Sequence, residues 1–143
     1  VSLESDLRTA LESLLATVTG FPDSDHRAFE NVTFEPVALE SWARVTHAWG
    51  GEEPITMPGQ GAWMEYRGIM TINLFAPVDQ SPAELDTLAR AVVDKFPYGL
   101  SLTVSGNQVH VTRSRRWTGE REGGWHHVPV DVAWRMLRVN VIT

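Results

Sequence analysis

The chain has 143 residues, 43% of them apolar, and a formal net charge of −6. That length suits a single domain and can bury about 70% of the surface of the unfolded chain without covalent staples. It contains no cysteine, which excludes a disulfide scaffold, thiolate catalysis and cysteine-based metal centres, and its acidity argues against wrapping nucleic acid.

The start of the chain is polar and amphipathic, without the basic and apolar regions of a signal peptide. No apolar run approaches the roughly 20 residues that a membrane span needs, so a soluble protein is expected. Leu3, Leu7, Leu11, Leu14, Leu15 and Val18 recur at steps of three and four, the stripe of an amphipathic helix, with Gly20 and Pro22 to end it. A polar loop is expected over Asp23 to Arg27, then a short extended piece over Asn31 to Phe34. Trp42 to Trp49 is rich in strand formers. Gly50, Gly51, Pro54, Pro58, Gly59 and Gly61 follow closely and predict a long exposed loop.

From Ala62 to Ala76 apolar and polar residues alternate with the period of a strand, interrupted by Gly68, which predicts a bulge or the close approach of another backbone. Ser81-Pro82-Ala83-Glu84 reads as a capping box with proline at the first helical position, and Leu85, Leu88, Val92 and Phe96 continue as a helical stripe up to Pro97. Leu102–Val104 and Val109–Arg113, on either side of Ser105-Gly106-Asn107, predict a hairpin. A polar loop is expected over Thr118 to Gly124. The last strand spans Trp125 to Val139, with Val128, Val130, Val132, Trp134 and Met136 on one face. Helix, strands, helix, strands in this order predict one α+β domain whose mixed, largely antiparallel sheet packs with two helices.

Little in the chain points to catalysis. His126 and His127 are adjacent on a strand and point to opposite faces, so they do not chelate one metal together. Asp23, Asp25 and His26 suit a polar turn better than a calcium loop. There is no Gly-x-Ser-x-Gly elbow and no phosphate-binding loop, and the only lysine is Lys95, late in a helix. Gly59 and Gly61 precede a strand, where a dinucleotide fingerprint must follow one. Glu52 and Glu53 read as an exposed charge pair. No catalytic residue, metal site or cofactor is expected.

Two features point to protein contacts. Arg113, Arg115 and Arg116 beside Trp117 form a basic-aromatic cluster that suits an interface better than nucleic acid in so acidic a chain. Trp49, Trp63, Trp117 and Trp125 flank expected loops and are, with those arginines, candidate interface residues. Charge is also split along the chain. Residues up to Glu65 hold eleven acids against Arg8, Arg27 and Arg44, while the remainder holds nine basic residues against seven acids. Complementary halves of this kind can steer head-to-tail docking of copies.

An ordered series of landmarks resembles one family. It comprises Phe29-Glu30-Asn31-Val32-Thr33-Phe34-Glu35-Pro36, Trp42-Ala43-Arg44-Val45, Gly59-Gln60-Gly61 leading to Arg67-Gly68-Ile69-Met70-Thr71-Ile72-Asn73-Leu74-Phe75-Ala76-Pro77, a helix with Leu88-Ala89-Arg90 ending at Phe96, and Trp125-His126-His127-Val128-Pro129-Val130. Together these resemble the tail terminators of siphophages and related gene-transfer particles, from the first helix to about Arg138. One departure is Val78-Asp79-Gln80-Ser81, where relatives often have a glycine-containing turn. The resemblance implies a structural, non-enzymatic subunit of a ring, typically of six copies. Such a ring caps the tail tube, ends its polymerisation and offers a surface for head-to-tail joining. The partners implied are further copies of the chain, the tail tube protein and the head-tail connector protein, with no membrane and no specific nucleic acid. The location implied is the neck end of the virion tail, after synthesis in the host cytoplasm. Alternatives are another neck connector or tube ring protein of related fold and, from a different class, a small hydrolase using His110, His127 and Asp131.

Overall fold

Two fifteen-residue strands, β3 (Trp63–Pro77) and β7 (Trp125–Val139), pair antiparallel along their whole length, from Trp63 opposite Val139 to Pro77 opposite Trp125. At about 3.4 Å per residue each strand is roughly 50 Å long, far beyond the usual five or six residues. They form the centre of a seven-stranded sheet in a computed structural model that describes residues 2–57, 59 and 61–139.

On one side, β2 (Trp42–Pro54) pairs antiparallel with β3, and the two-residue β1 (Arg27–Ala28) pairs parallel with β2. On the other side, β7 is flanked by β5 (Asn107–Arg116), which pairs with β4 (Ser101–Val104) at the far edge. The remaining strand, β6 (Glu120–Glu122), pairs with the first residues of β7. All contacts except that of β1 are antiparallel, and α1 (Leu3–Leu15) and α2 (Ala83–Lys95) complete the α+β fold.

Alternation on the long strands decides which face is covered. Val128, Val130, Val132, Trp134 and Met136 of β7 point the same way as Tyr66, Met70, Ile72 and Leu74 of β3, and all are buried. Leu7, Leu11 and Leu15 of α1 and Leu85, Ala89 and Val92 of α2 close over them, joined by Phe96. Burying one such leucine or phenylalanine contributes about 1.5–3 kcal/mol, so the two helical stripes hold the layers together. Polar contacts also join α1 to the sheet. Asp6 accepts from the Ser105 hydroxyl (2.6 Å), Glu4 from the Tyr66 hydroxyl (3.3 Å), and Glu12 lies 3.0 Å from His47 Nε2. Ser2 caps the helix by accepting from Ser5 N–H.

Four local expectations are corrected. The region from Gly50 is not a loop throughout, because β2 continues to Pro54 through a register shift between Trp49 and Glu52. A Cβ on Gly50 would lie 2.6 Å from the Arg67 carbonyl oxygen, so this glycine permits a tight strand crossing. Pro58 lies outside the described residues. Asn31–Phe34 forms no strand; Asn31 has φ 58°, and the short edge strand is instead Arg27–Ala28, just after a 3₁₀ turn at Ser24–His26. Ser81 does not form a capping box, since Pro82 itself is the N-cap and the Ser81 hydroxyl accepts from Ala83 N–H (3.3 Å). The expected loop 118–124 contains β6, which returns through Gly123 (φ 59°) into β7. The predicted β4–β5 hairpin is present, and its Ser105-Gly106 turn has φ 50° and 80°, the conformation that suits two-residue hairpins.

Candidate assembly surface

Neither helix lies on the second face of the sheet. At one end of this outer face, Trp42 stacks on Phe75 with ring centroids 4.0 Å apart, and His127 stacks on the same Phe75 at 4.5 Å. Arg44 lies over Trp42 at 5.3 Å, while Phe34 and Trp125 close the column from the sides at 5.3 and 5.8 Å. This small second core holds the segment from Phe29 to Ser41 against the sheet. Its outside carries Phe29, Val32, Val37 and Leu39, all exposed. A second device holds it too: His26 lies 2.7 Å from Asp23 and 2.5 Å from Glu40 through its two ring nitrogens. Those carboxylates raise the His26 pKa to about 9.

Along β5 the sequence-predicted arginines part company. The register shift between Val111 and Arg113 places Arg113 opposite Ala133 and Arg115 opposite Asp131, both on the outer face. Arg115 lies over the Trp117 ring at 3.9 Å, and the Trp117 indole N–H donates to Asp131 (2.6 Å), which also accepts from the Thr71 hydroxyl (2.9 Å). Arg116 turns to the other face and pairs with Asp86 of α2 at 2.5 Å. Arg113 is exposed and forms no ion pair among the described residues.

The four tryptophans also divide. Trp49 points toward the helices, stacked on His47 (5.3 Å), against Trp134 and under Arg8. Trp125 belongs to the outer aromatic column, whereas Trp63 and Trp117 are exposed. Trp63 stands at the distal end of the β2–β3 hairpin together with Ile55, Met57 and Val139, all exposed and apolar. Ile55 and Met57 fall within the segment read as a loop from its glycines and prolines, and exposed apolar side chains in that setting make it a candidate contact surface.

The sheet also has two incompletely paired edges. Beyond Ala43 and Arg44, which pair with β1, the outer edge of β2 has no strand partner among the described residues. The same holds for β5 beyond the stretch that pairs with β4. Unpaired edges of this kind are templates for another chain.

His110, His127 and Asp131 are not brought together. His127 and Asp131 share a face of β7 but stand about 13 Å apart along the strand, each with its own partners. His127 Nε2 lies 2.7 Å from Asn73 Oδ1, and burial pushes the ring below its ordinary pKa despite the nearby Glu122 and Glu120. His110 lies opposite Arg135 near the other end of β5 and touches Ser101. Among the described residues no group of three histidines or carboxylates is placed to hold a metal ion, and no helix is long and apolar enough to cross a membrane.

The fold has a solved counterpart. One solved protein structure of unstated function is 20% identical and superposes with a TM-score of 0.70 over 98% of this chain and 97% of that one. The virion of a native gene transfer agent particle contains a chain that is 16% identical, with a TM-score of 0.44 over 97% and 92% of the two chains. No curated protein matches the sequence. Residues 6–134, from the first turn of α1 to the middle of β7, match the family described as phage tail terminator protein, and the chain belongs to that family.

Proposed function

We propose that the protein forms a closed ring that caps the tail tube of a tailed bacteriophage, ends its polymerisation and offers a face for joining the head. Family membership carries this reading, since it makes the chain a structural protein of the phage tail. Six copies is the number that the resemblance implies, with the tail tube protein on one side of the ring and the head-tail connector on the other.

The surface chemistry supports it. A ring needs contacts in which two different patches of one chain meet and the rotation closes. The sheet order puts β2, with exposed Glu52 and Glu53, near one edge and β5, with exposed Arg113 and Arg115, near the other. Copies set side by side would bring acidic and basic edges together, which guides encounter and fixes orientation. Nothing in this role calls for bond chemistry at His110, His127 or Asp131.

Mixing the labelled protein with assembling tail tube subunits tests the reading. The cap should stop growth and yield shorter tubes as its concentration rises. Tubes that keep growing and carry this chain throughout would make it a tube ring protein instead.

A further inference from the structure

Ala48, Ile69 and Ala133 are neighbours in one row across β2, β3 and β7 on the outer face, and Arg113 of β5 ends that row. In the adjacent row, Trp49, Gly68, Trp134 and Val111 pair with one another and face the helices. Both flanking strands are irregular here, with register shifts between Trp49 and Glu52 in β2 and between Val111 and Arg113 in β5. Bulges bend a strand and sharpen its twist. Between them, across β3 and β7, an apolar depression of about 350 Å³ opens beside Ala48, Ile69, Ala133 and Trp134, with Arg67 and Thr112 at its rim.

We infer that this depression receives the tip of the β2–β3 hairpin from a second copy of the chain, with Met57 as the anchoring side chain. This rests on the ring reading and names the contact that would build the ring. The same chain carries an unfilled apolar socket and an unburied apolar plug, for Met57 is 86% exposed with Ile55 and Trp63 beside it at 50% and 47%. The plug cannot reach its own socket. Ile69 and Trp63 are six residues apart on β3, or roughly 20 Å, and the tip lies beyond Trp63. Charge agrees: exposed Glu53 stands near the tip, exposed Arg113 beside the socket, and neither forms an ion pair among the described residues. Joining unlike patches leaves a free socket on one copy and a free plug on the next, so the contact propagates until the ring closes.

The absence of cysteine from the sequence provides a clean background for a test. Two single variants, Met57→Cys and Ala48→Cys, are mixed and oxidised, with Ala133→Cys as a second socket position should Ala48→Cys melt early. The mixed disulfide should form about tenfold faster than either like-with-like disulfide, because docking raises the local thiol concentration. The Met57→Cys/Ala48→Cys double variant should then give a ladder ending at one top band. Met57→Asp should weaken association roughly ten- to a hundredfold without shifting the melting temperature. Mixed disulfides no faster than like-with-like ones at both socket positions would overturn the contact, while the mass of the parent assembly still reports separately on the ring. Fast mixed disulfides with a ladder that never ends would keep the contact and overturn the closed ring.

Discussion

Gly68 shows how one residue can be constrained from far along the chain. A Cβ at this position would lie 2.3 Å from Cζ2 of the Trp134 indole and 3.0 Å from the Ala48 carbonyl oxygen. Gly68→Ala should therefore destabilise the protein by about 1–3 kcal/mol, the usual cost of overpacking a filled core. Chemical denaturation checks this, and Trp134→Phe in the same chain should recover part of the loss because the two sites are in contact. The interruption of the strand pattern at Gly68 was legible in the sequence; that an indole causes it was not, since Trp134 arrives across the sheet on the last strand. His26 offers a second residue-scale test. Its pKa of about 9 in the folded protein exceeds the ordinary 6.5, so the protonated ring is favoured by folding. Its contribution is complete below pH 6.5 and is lost as the pH rises through about 9. Titration of the His26 ring by NMR should show a midpoint near 9, with faster amide exchange over residues 29–41 above it. A midpoint near 6.5 would show that Asp23 and Glu40 do not clasp the ring in solution.

At the scale of elements, long alternation was the dependable signal. The β7 positions picked from the sequence all face the core, and both helical stripes pack where their periodicity placed them. Two of the failures sit where glycine and proline are read as loop. In β2 they mark a bulge, and before β7 they mark a hairpin, because a glycine permits either a turn or a close crossing and only the neighbouring strand decides which. The candidate interface arginines are visible as a cluster, and strand alternation sets Arg116 on the opposite face from Arg113 and Arg115; which face each takes depends on the register shift before Arg113, which no local pattern reveals. Their roles should divide accordingly. Arg113→Glu with Arg115→Glu should leave the melting temperature nearly unchanged and weaken assembly most at low salt, since screening acts over about 10 Å at 0.1 M. Arg116→Glu should act within the subunit by breaking the partly exposed pair with Asp86, costing about 1 kcal/mol or less plus repulsion. Thermal melting and sedimentation at two salt concentrations separate the two effects. Equal assembly of the double variant at every salt concentration would make Arg113 and Arg115 plain solvated surface.

For the molecule as a whole, the uneven charge acquires a spatial meaning. The acidic part of the sequence ends within β3 and includes the β2 edge, whereas the arginine-rich β5 lies toward the opposite edge. One sheet thus presents unlike sides, as the proposed ring of identical copies would require, and neither helix covers its outer face. The family and the fold class could be read from the order of landmarks; the depression in the outer face could not, because β7 brings Ala133 and Trp134 to the β2–β3 hairpin from more than sixty residues further along the chain. In the proposed role, copies of the chain close into a ring at a tube end. Electron microscopy of tail tubes grown with the gold-labelled protein tests it most directly. Label confined to one end of each tube, on rings with a fixed number of subunits, is the predicted result, and label spaced along the tube length would contradict it.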